Sequence, residues 1–500
     1  MRVVKNPQMH LGEVDISKII FDPKSRDDMP KLLKGLQYLY TNISVRAEIF
    51  KILEEDIVPG KNKNNGRPGM ELWKILVLGT IRLNLNWDYD RIHEQANSHC
   101  LIRQMLGHSS IFDKYYYELQ TIKDNVRLLT PEILDKINQI VVKAGHNLLK
   151  KKDDTLLKGR CDSFVVETHV HYPTDINLLL DAMRKVIFLI ASFCEEDGLT
   201  DWRQYYYNYR SLKKLMRIAQ DKKRGTPRLE DKKKKKEEEI KKAHQQYIHA
   251  STLLLEKAKI TLLKVETGGS LLTEIKKAEI EKFMMHAYRQ ISQIERRVIL
   301  GEVIPHQEKV FSIFQPHTEW VVKGKAGVPV ELGLKVCILE DQFQFILHHS
   351  VMQNQLDEQV AVPMAQETKK RFPSLNQISF DKGFYSLATQ EALKSEIERA
   401  VLPKKGKLSQ ETQALESEKG FLKARRQHSA VESAINALEV HGLDRCPDHG
   451  ISGFRRYVAL AIVGQNIARV GAILKIKEQK KEKRKRKKYC VRLPAMKMAA

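Results

Sequence analysis

The nonapeptide ISFDKGFYS, residues 378 to 386, determines how this chain is expected to fold. Its first three residues, with Leu375 just before them, have the composition of a short buried strand. The run then ends on a carboxylate, Asp381, which is followed by a lysine and a glycine. An acidic residue directly after a buried strand is expected at the margin of a sheet, outside the core.

The overall composition is that of a globular protein with an excess of positive charge. The chain has 500 residues, of which 42% are hydrophobic, and this length corresponds to about three domains. Lys and Arg number 86 against 62 Asp and Glu, which gives a formal net charge of +24 and is typical of attraction to a polyanion such as nucleic acid.

The same composition argues against a membrane protein and against a secreted one. No run approaches the roughly 18 uninterrupted apolar residues of a spanning helix, and the N-terminus lacks an apolar signal core. Six cysteines are scattered without paired spacing, which disfavours a disulfide or zinc framework. We therefore expect a cytoplasmic, reduced protein that does not bind membranes.

The first part of the chain predicts an arm followed by a helical domain. Residues 1–65 are mixed in character and lead into GKNKNNGRPG, a Gly/Asn/Lys-rich linker. Apolar residues recur at helical intervals from Leu72, which predicts an all-α domain over 66–150.

The remainder predicts an α/β domain that is interrupted by a helical insertion. A strand with Asp162 at its start begins the α/β domain, which covers 151–176 and 303–474. Long helices fill the insertion, 177–302, including two antiparallel helices that Gly268 and Gly269 join by a tight turn. A low-complexity basic tail, 475–500, is either disordered solvated chain or a nonspecific phosphate contact.

Within the α/β domain the strand and helix signals follow a definite order. Strands are predicted at 311–314, 330–339 and 342–352, as an antiparallel meander. A helix from about 356 to 371 leads to the strand that ends before Asp381, and a final helix begins at His428 and runs on to about Ile476.

Three acidic residues are candidates for one shared site. Asp162 and Asp381 lie at strand margins, and helical periodicity directs Glu432 away from the core, toward the same margin. Three neighbouring carboxylates repel one another, and a divalent cation compensates that repulsion most simply. Hard oxygen ligands suit Mg²⁺, and two such ions about 3.5–4 Å apart can clamp a phosphodiester during in-line displacement.

Several ordered motifs resemble the DDE transposases of bacterial insertion sequences. The motifs are CDSFVVETHVHYPTD, HTEWVVKGK, ISFDKGFYS and RRQHSAVESAINALEVHGLDRC, in that order. The segment from Gly66 to Gly107 also resembles the helical N-terminal domain of many members, which implies that the helical domain 66–150 binds DNA. The resemblance extends from about Gly66 to Ile473.

This resemblance implies a ribonuclease-H-like mixed sheet flanked by helices and a two-metal-ion mechanism. Asp162, Asp381 and Glu432 would hold two Mg²⁺ ions, for which Mn²⁺ can substitute. The implied reaction is cleavage at element ends by activated water, followed by joining of the freed 3′-hydroxyl to target DNA. The implied partner is double-stranded DNA, which comprises the terminal inverted repeats of the element and the target. A second copy of the chain would complete a homodimeric synaptic complex. The implied location is the bacterial cytosol, where the protein would be associated with the nucleoid when it is bound to DNA.

One set of positions departs from the family pattern. Many relatives have Tyr, Arg, Glu and Lys where this chain has Arg425, His428, Glu432 and Glu439, so the last position inverts the charge. Around the acids, DNA contacts are expected from a group of basic and polar side chains: Lys382, Tyr385, Lys404, Lys405, Arg425, Arg426 and His428.

Three other interpretations remain open at this point. Asp381 followed closely by a glycine is also a common turn signal. The chain could be a transposase-derived DNA-binding protein that no longer cleaves. His169 and His171 form the His-hydrophobe-His pattern of tyrosine transposases, although strand alternation would turn them away from the face of Asp162.

Overall fold

The computed structural model describes residues 3–5, 13–57, 69–108, 114–149, 155–225, 229–264, 271–322 and 329–492. The chain divides into two compact units. The first comprises Met1–His169 and Val321–Ala500, and the second comprises Val170–Trp320.

Seven strands form one mixed sheet in the described part of the chain. They are β1 (Leu157–Thr168), β2 (Glu319–Val322), β3 (Val330–Asp341), β4 (Ile346–Val351), β5 (Leu375–Phe380), β6 (Arg399–Val401) and β7 (Arg445–Cys446). The order is β2-β3-β1-β5-β6, with β4 paired to β3 and β7 paired to β1. β1, β3 and β4 are antiparallel neighbours, whereas β5 and β6 run parallel to β1.

The first unit also contains most of the helices. They are α1 (Asp28–Thr41), α2 (Ile43–Ile57), α3 (Leu72–Asn84), α4 (Tyr89–Ser98), α5 (Cys100–Met105), α6 (Leu119–Val126) and α7 (Pro131–Leu148), in the N-terminal part of the chain. The second unit contributes α8 (Asp175–Glu196), α9 (Tyr205–Lys222), α10 (Glu230–Lys264) and α11 (Leu271–Ile294). The first unit then continues with α12 (Asp357–Arg371), α13 (Leu387–Glu396), α14 (Gln410–Ser417), α15 (Lys419–His428), α16 (Ala430–Leu438) and α17 (Gly450–Arg492).

The prediction of an α/β protein with a mixed sheet flanked by helices is confirmed. The helix expected from about 356 to 371 is α12, and the strand that ends before Asp381 is β5. Local signals fix these boundaries, because the backbone N–H of Leu356 donates to Gln359 Oε1 at the start of α12, and β5 consists mostly of buried residues that end at the charged Asp381–Lys382 pair.

The strand predicted at 311–314 is wrong. The hydroxyl of Ser312 accepts hydrogen bonds from the backbone N–H groups of Phe314 and Gln315, which makes a local turn in place of a ladder. Ile313 is buried in the core of the second unit, so its hydrophobicity reflects that core and not a strand. The edge strand of this region is β2, a few residues later.

The N-terminal helices and the sheet share one hydrophobic core. Residues from α1 to α7 belong to the same buried cluster as residues of β1, β3, β5 and α17. The segment assigned to an arm, 1–65, therefore includes the two packed helices α1 and α2. The linker motif, GKNKNNGRPG, lies almost entirely outside the described residues.

The prediction of one continuous final helix from His428 is wrong, because α16 ends at Leu438 and the positive φ of Gly442 breaks the helix before α17. Helix α17 also extends farther than the sequence indicates, since the basic segment from 475 continues as helix to Arg492. Over Gly450–Lys485 it is long and apolar enough to cross a membrane, but 72% of its apolar window is buried. That burial is expected of the core helix of a soluble protein.

The second unit has a core of its own, built from α8, α9, α10 and α11. Helix α11 packs against α8, and α10 packs against α9. Two of these helices correspond to the predicted antiparallel pair, while the predicted turn at Gly268 and Gly269 lies outside the described residues.

Replacing Gly471 with alanine is expected to destabilise the protein by about 1–3 kcal/mol. Helix α17 passes so close to α1 that a Cβ at this position would clash with the backbone oxygen of Lys31, which cannot rotate away. This clash outweighs the gain of up to about 1 kcal/mol that alanine brings to a helix interior. Urea unfolding of the full chain measures the difference.

Gly79→Ala is the matched comparison for this variant. A Cβ there meets side-chain atoms of Leu129 at 3.0 Å, Leu460 at 3.1 Å and Val126 at 3.7 Å, and the two leucine side chains can adjust. We expect a smaller loss than for Gly471→Ala. Equal losses in the two variants would show that α1 and α17 do not approach as closely as described.

Candidate active site

The two strand acids lie side by side on neighbouring parallel strands. In the register of β1 and β5, Cys161 is opposite Phe380, so the next residues are Asp162 and Asp381. Residues paired in this way on parallel strands point to the same face of the sheet. Asp381 is exposed at the end of β5, as predicted. Asp162 is half-buried in the interior of β1 and not at its start, because β1 begins five residues earlier, at Leu157.

Glu432 reaches the same region from a helix. It lies in the first turn of α16, whose buried residues are Val431, Ala434 and Leu438, and α16 packs against β1. Glu432 itself is exposed, and it is close enough to Asp162 for its negative charge to contribute to the raised pKa of Asp162. Its direction follows from the helical period, because the residues that anchor α16 occupy the other face.

The pKa of Asp162 is shifted in this arrangement of acids. Burial is the main cause that raises its pKa to about 6, and repulsion from Asp381, Asp357 and Glu432 adds to it. A hydrogen bond from the backbone N–H of Ser163 at 2.7 Å works in the opposite direction. The carboxyl group therefore lies in a partly desolvated and negatively charged environment.

These carboxylates have no compensating cation in the described part of the chain. No ion pair to Asp162, Asp381 or Glu432 occurs among the residues that the structure describes. Asp381 precedes the short turn Lys382–Phe384, but its side chain makes no capping hydrogen bond there. Turn chemistry alone therefore does not account for this acid.

The donor set fits a hard divalent cation, since three unpaired carboxylates supply the oxygen ligands that Mg²⁺ prefers. Within the described ranges, however, no three His, Cys, Asp or Glu side chains are close enough to hold a metal ion together. Carboxylates that repel one another are expected to stand apart until a cation compensates their charge.

A fourth acid, Asp357, was missed by the sequence reasoning. It is the first residue of α12 and accepts a hydrogen bond from the Ser163 hydroxyl at 2.7 Å, and its other oxygen is 2.8 Å from Lys335 Nζ. Strand alternation places Ser163 on the face opposite Asp162. An acid in the first turn of a helix is common because it complements the helix dipole, so nothing in the sequence distinguished Asp357.

Histidine 428 joins the acids at the end of α15. Its Nδ1 atom is 3.1 Å from the Ser379 hydroxyl. Asp381 and Glu432 are close enough for their charges to influence the pKa of His428. Burial is the main cause that lowers the pKa of His428, so the neutral form is favoured in the folded protein. His428 was predicted to contact DNA, and the structure brings it to the same face as the three acids.

The other residues that were predicted to contact DNA differ in solvent exposure and in their interaction partners. Lys382, Lys405 and Arg426 are exposed. Arg425 lies 3.7 Å from the nearly buried carboxylate of Glu416.

Two further predicted contacts are only partly accessible. Lys404 is half-buried, and its backbone N–H donates to Glu416 Oε1 at 2.8 Å. Tyr385 is half-buried and packs against the hydrophobic core. These two residues therefore have structural partners of their own.

The histidine pair of the alternative mechanism lies beyond the strand. β1 ends at Thr168, so the alternation argument does not extend to His169 and His171. His171 Nε2 is 2.6 Å from Asp181, and this hydrogen bond is the main cause that raises the pKa of His171. His171 is thus engaged by a carboxylate within the second unit.

Comparisons of the chain with models of protein families, with characterised proteins and with solved structures gave no match.

Proposed function

We propose that the chain is a DNA transposase of the DDE type, with a ribonuclease-H-like catalytic domain. The observation that carries this proposal is the proximity of Asp162, Asp381 and Glu432, which come from positions far apart in the chain and have no ion-pair partner in the described residues. Clustered uncompensated carboxylates destabilise a protein that does not use them, so a function for them is the simplest explanation.

The sheet supports the finer description of the fold. Asp162 lies on β1 and Asp381 directly follows β5. These two strands are the central parallel pair of the sheet, and β3 and β4 extend the sheet on the antiparallel side. The formal net charge of +24 supports the choice of substrate, because a basic surface attracts a phosphate backbone.

Each residue has a defined role in the proposed reaction. Asp162, Asp381 and Glu432 would hold two Mg²⁺ ions, which supply an activated water and stabilise charge at the reacting phosphorus. The backbone N–H of Ser163 fixes one oxygen of Asp162. The hydroxyl of the buried Ser379 is hydrogen-bonded to His428 Nδ1 and positions the imidazole ring beside Asp381. The freed 3′-hydroxyl would then attack target DNA.

A DNA-binding protein without cleavage activity is the second candidate. One observation favours it: within the described residues no three possible ligands are close enough to share a metal ion. Such a protein would retain the basic surface and the helices while having no use for the acids.

A cleavage assay separates the two candidates. The purified chain is incubated with DNA that carries the sequences flanking its own coding region. We expect strand cleavage and joined products with Mg²⁺ or Mn²⁺, and none with EDTA. Binding of that DNA without cleavage in either metal would favour the second candidate and reject the first.

A further inference from the structure

A basic groove lies beside the acids, between the sheet and α15. It has a volume of about 500 Å³, and no acidic residue is among those that line it in the described structure. Four of its side chains are cationic: Lys158, Arg160, Lys423 and Arg426. We call this cavity the α15 groove.

The floor of the α15 groove continues the strands that carry the acids. Lys158 and Arg160 precede Asp162 by four and two residues on β1, and they pair with Gln377 and Ser379 on β5. Side chains two and four positions apart on a strand share a face. At about 3.3 Å per residue, the groove begins about 7 Å from Asp162 and extends to about 13 Å.

Most of the positive charge in the groove is uncompensated. Arg160 is 2.8 Å from Glu340, and it also donates to the backbone oxygen of Asp341. By contrast, Lys158, Lys423 and Arg426 are exposed, and none of the three has an ion pair among the residues described. Three free cations along one groove form a site for a chain of anions more readily than for one small ion.

The neutral groups of the groove do not provide a base-reading surface. Gln377 and Ser379 lie on its floor, and Gln427 lies on its α15 side. Gln377 and Ser379 are buried, whereas Gln427 is exposed, and an amide group beside cations is a typical contact to phosphate and sugar oxygens. No aromatic residue is among the described residues that line the groove, so stacking of bases is not expected to hold a ligand there.

We propose that the α15 groove binds the phosphodiester backbone of a single DNA strand on its way to or from the acids. This inference rests on the proposed function, because DNA cleavage at the acids is what would bring such a strand to the groove. A groove of about 500 Å³ between a helix and a sheet accommodates a short stretch of one strand's backbone. Recognition is independent of sequence, since the contacts are to the backbone.

The test measures the binding of a fluorescently labelled single-stranded DNA 12-mer to the full chain, in EDTA and over a series of salt concentrations. The variant Lys423→Glu/Arg426→Glu reverses two charges of the groove. Lys234→Glu/Lys235→Glu reverses two exposed, unpaired charges on α10 and serves as the matched control.

We expect at least about tenfold weaker binding for the groove variant, with a salt slope reduced by about 1.4, which corresponds to two lost phosphate contacts. The control should lose less than about twofold. Urea unfolding of both variants shows that each is folded, and Lys423→Gln/Arg426→Gln should give a loss intermediate between wild type and charge reversal.

Several outcomes would overturn the inference. These are equal affinity of the groove variant and the control, competition by inorganic phosphate as effective as that by unlabelled strand, or stronger competition by an RNA 12-mer than by DNA. The result is independent of cleavage: groove-dependent strand binding by a chain that cleaves no DNA would support the groove and reject the proposed function. If the wild-type chain cleaves DNA and the groove variant binds the strand as well as the wild type does, the proposed function would be supported and the groove would be rejected.

Discussion

Asp162→Asn is expected to reduce metal-dependent DNA cleavage by at least about 1,000-fold. The asparagine keeps the shape of the side chain but removes one of three negative charges that would hold the metal ions. The effect should appear in the rate of strand cleavage measured at saturating DNA, because the basic groups that bind DNA are unchanged.

The same variant should not lose stability. Burial and the neighbouring carboxylates disfavour the charged form of Asp162, so removing the charge relieves repulsion in the metal-free protein. We expect a urea unfolding midpoint in EDTA equal to or above that of the wild type. Loss of activity without loss of stability is the combination expected of a residue retained for function.

Glu167→Gln is the matched control on the same strand. Glu167 is partly exposed and forms an ion pair with Arg445 at 2.6 Å, away from the three acids. This variant should retain cleavage within about threefold, as expected for a surface pair worth up to about 1 kcal/mol. Undiminished cleavage by Asp162→Asn would contradict the assignment of Asp162.

The largest effect on stability is expected from Asp448→Ala, at about 3–5 kcal/mol. Asp448 accepts hydrogen bonds from Arg82 at 2.7 Å and from Arg456 at 3.1 Å. Arg82 is 3% exposed and lies over the ring of Tyr89 at 4.0 Å. Removing the carboxylate leaves a buried guanidinium without its counter-charge, where α3 meets the start of α17.

The loss should depend on pH in a defined direction. Burial alone would raise the pKa of Asp448, but the hydrogen bonds and charges of Arg82 and Arg456 outweigh it and lower the pKa below 3.8. A group with a depressed folded pKa contributes stability above its unfolded pKa and loses it as pH falls through the folded value. The difference in the free energy of unfolding between wild type and Asp448→Ala should therefore be largest near pH 7 and decrease below about pH 4.

Urea unfolding measured at several pH values tests this prediction. Glu167→Ala, which breaks the exposed pair with Arg445, should cost no more than about 1 kcal/mol. A cost below 1 kcal/mol for Asp448→Ala, or a difference that is constant from pH 7 to pH 3, would show that the buried network does not couple α3 to α17.

The parts of the fold that local signals specify were predictable. The strand before Asp381 and the helix that follows the β4 strand were placed within one to three residues, because apolar patterning and capping residues are contained in the segments themselves. The strand expected at 311–314 shows the limit of that reasoning. Its residues have strand propensity, but tertiary burial of Ile313 and the turn at Ser312 decide its conformation.

The shared core of the N-terminal helices was not predictable, since it depends on contacts between segments some 400 residues apart. The close approach of Gly35 and Gly471 in α1 and α17 carries no local signal. The candidate site was likewise predictable only in part. The three acids were identified from their ordered motifs, whereas Asp357 and the cations Lys158 and Lys423 become apparent only when the strand register and the packing of α15 are known.

Binding of Mn²⁺, followed by the loss of its free-ion electron paramagnetic resonance signal, tests the central claim most directly. The account predicts that the wild-type chain takes up Mn²⁺ in the presence of DNA, and that Asp162→Asn, Asp381→Asn and Glu432→Gln each weaken this uptake at least about tenfold, while Glu167→Gln does not. Equal uptake by all of these proteins, or no uptake by the wild type, would contradict it.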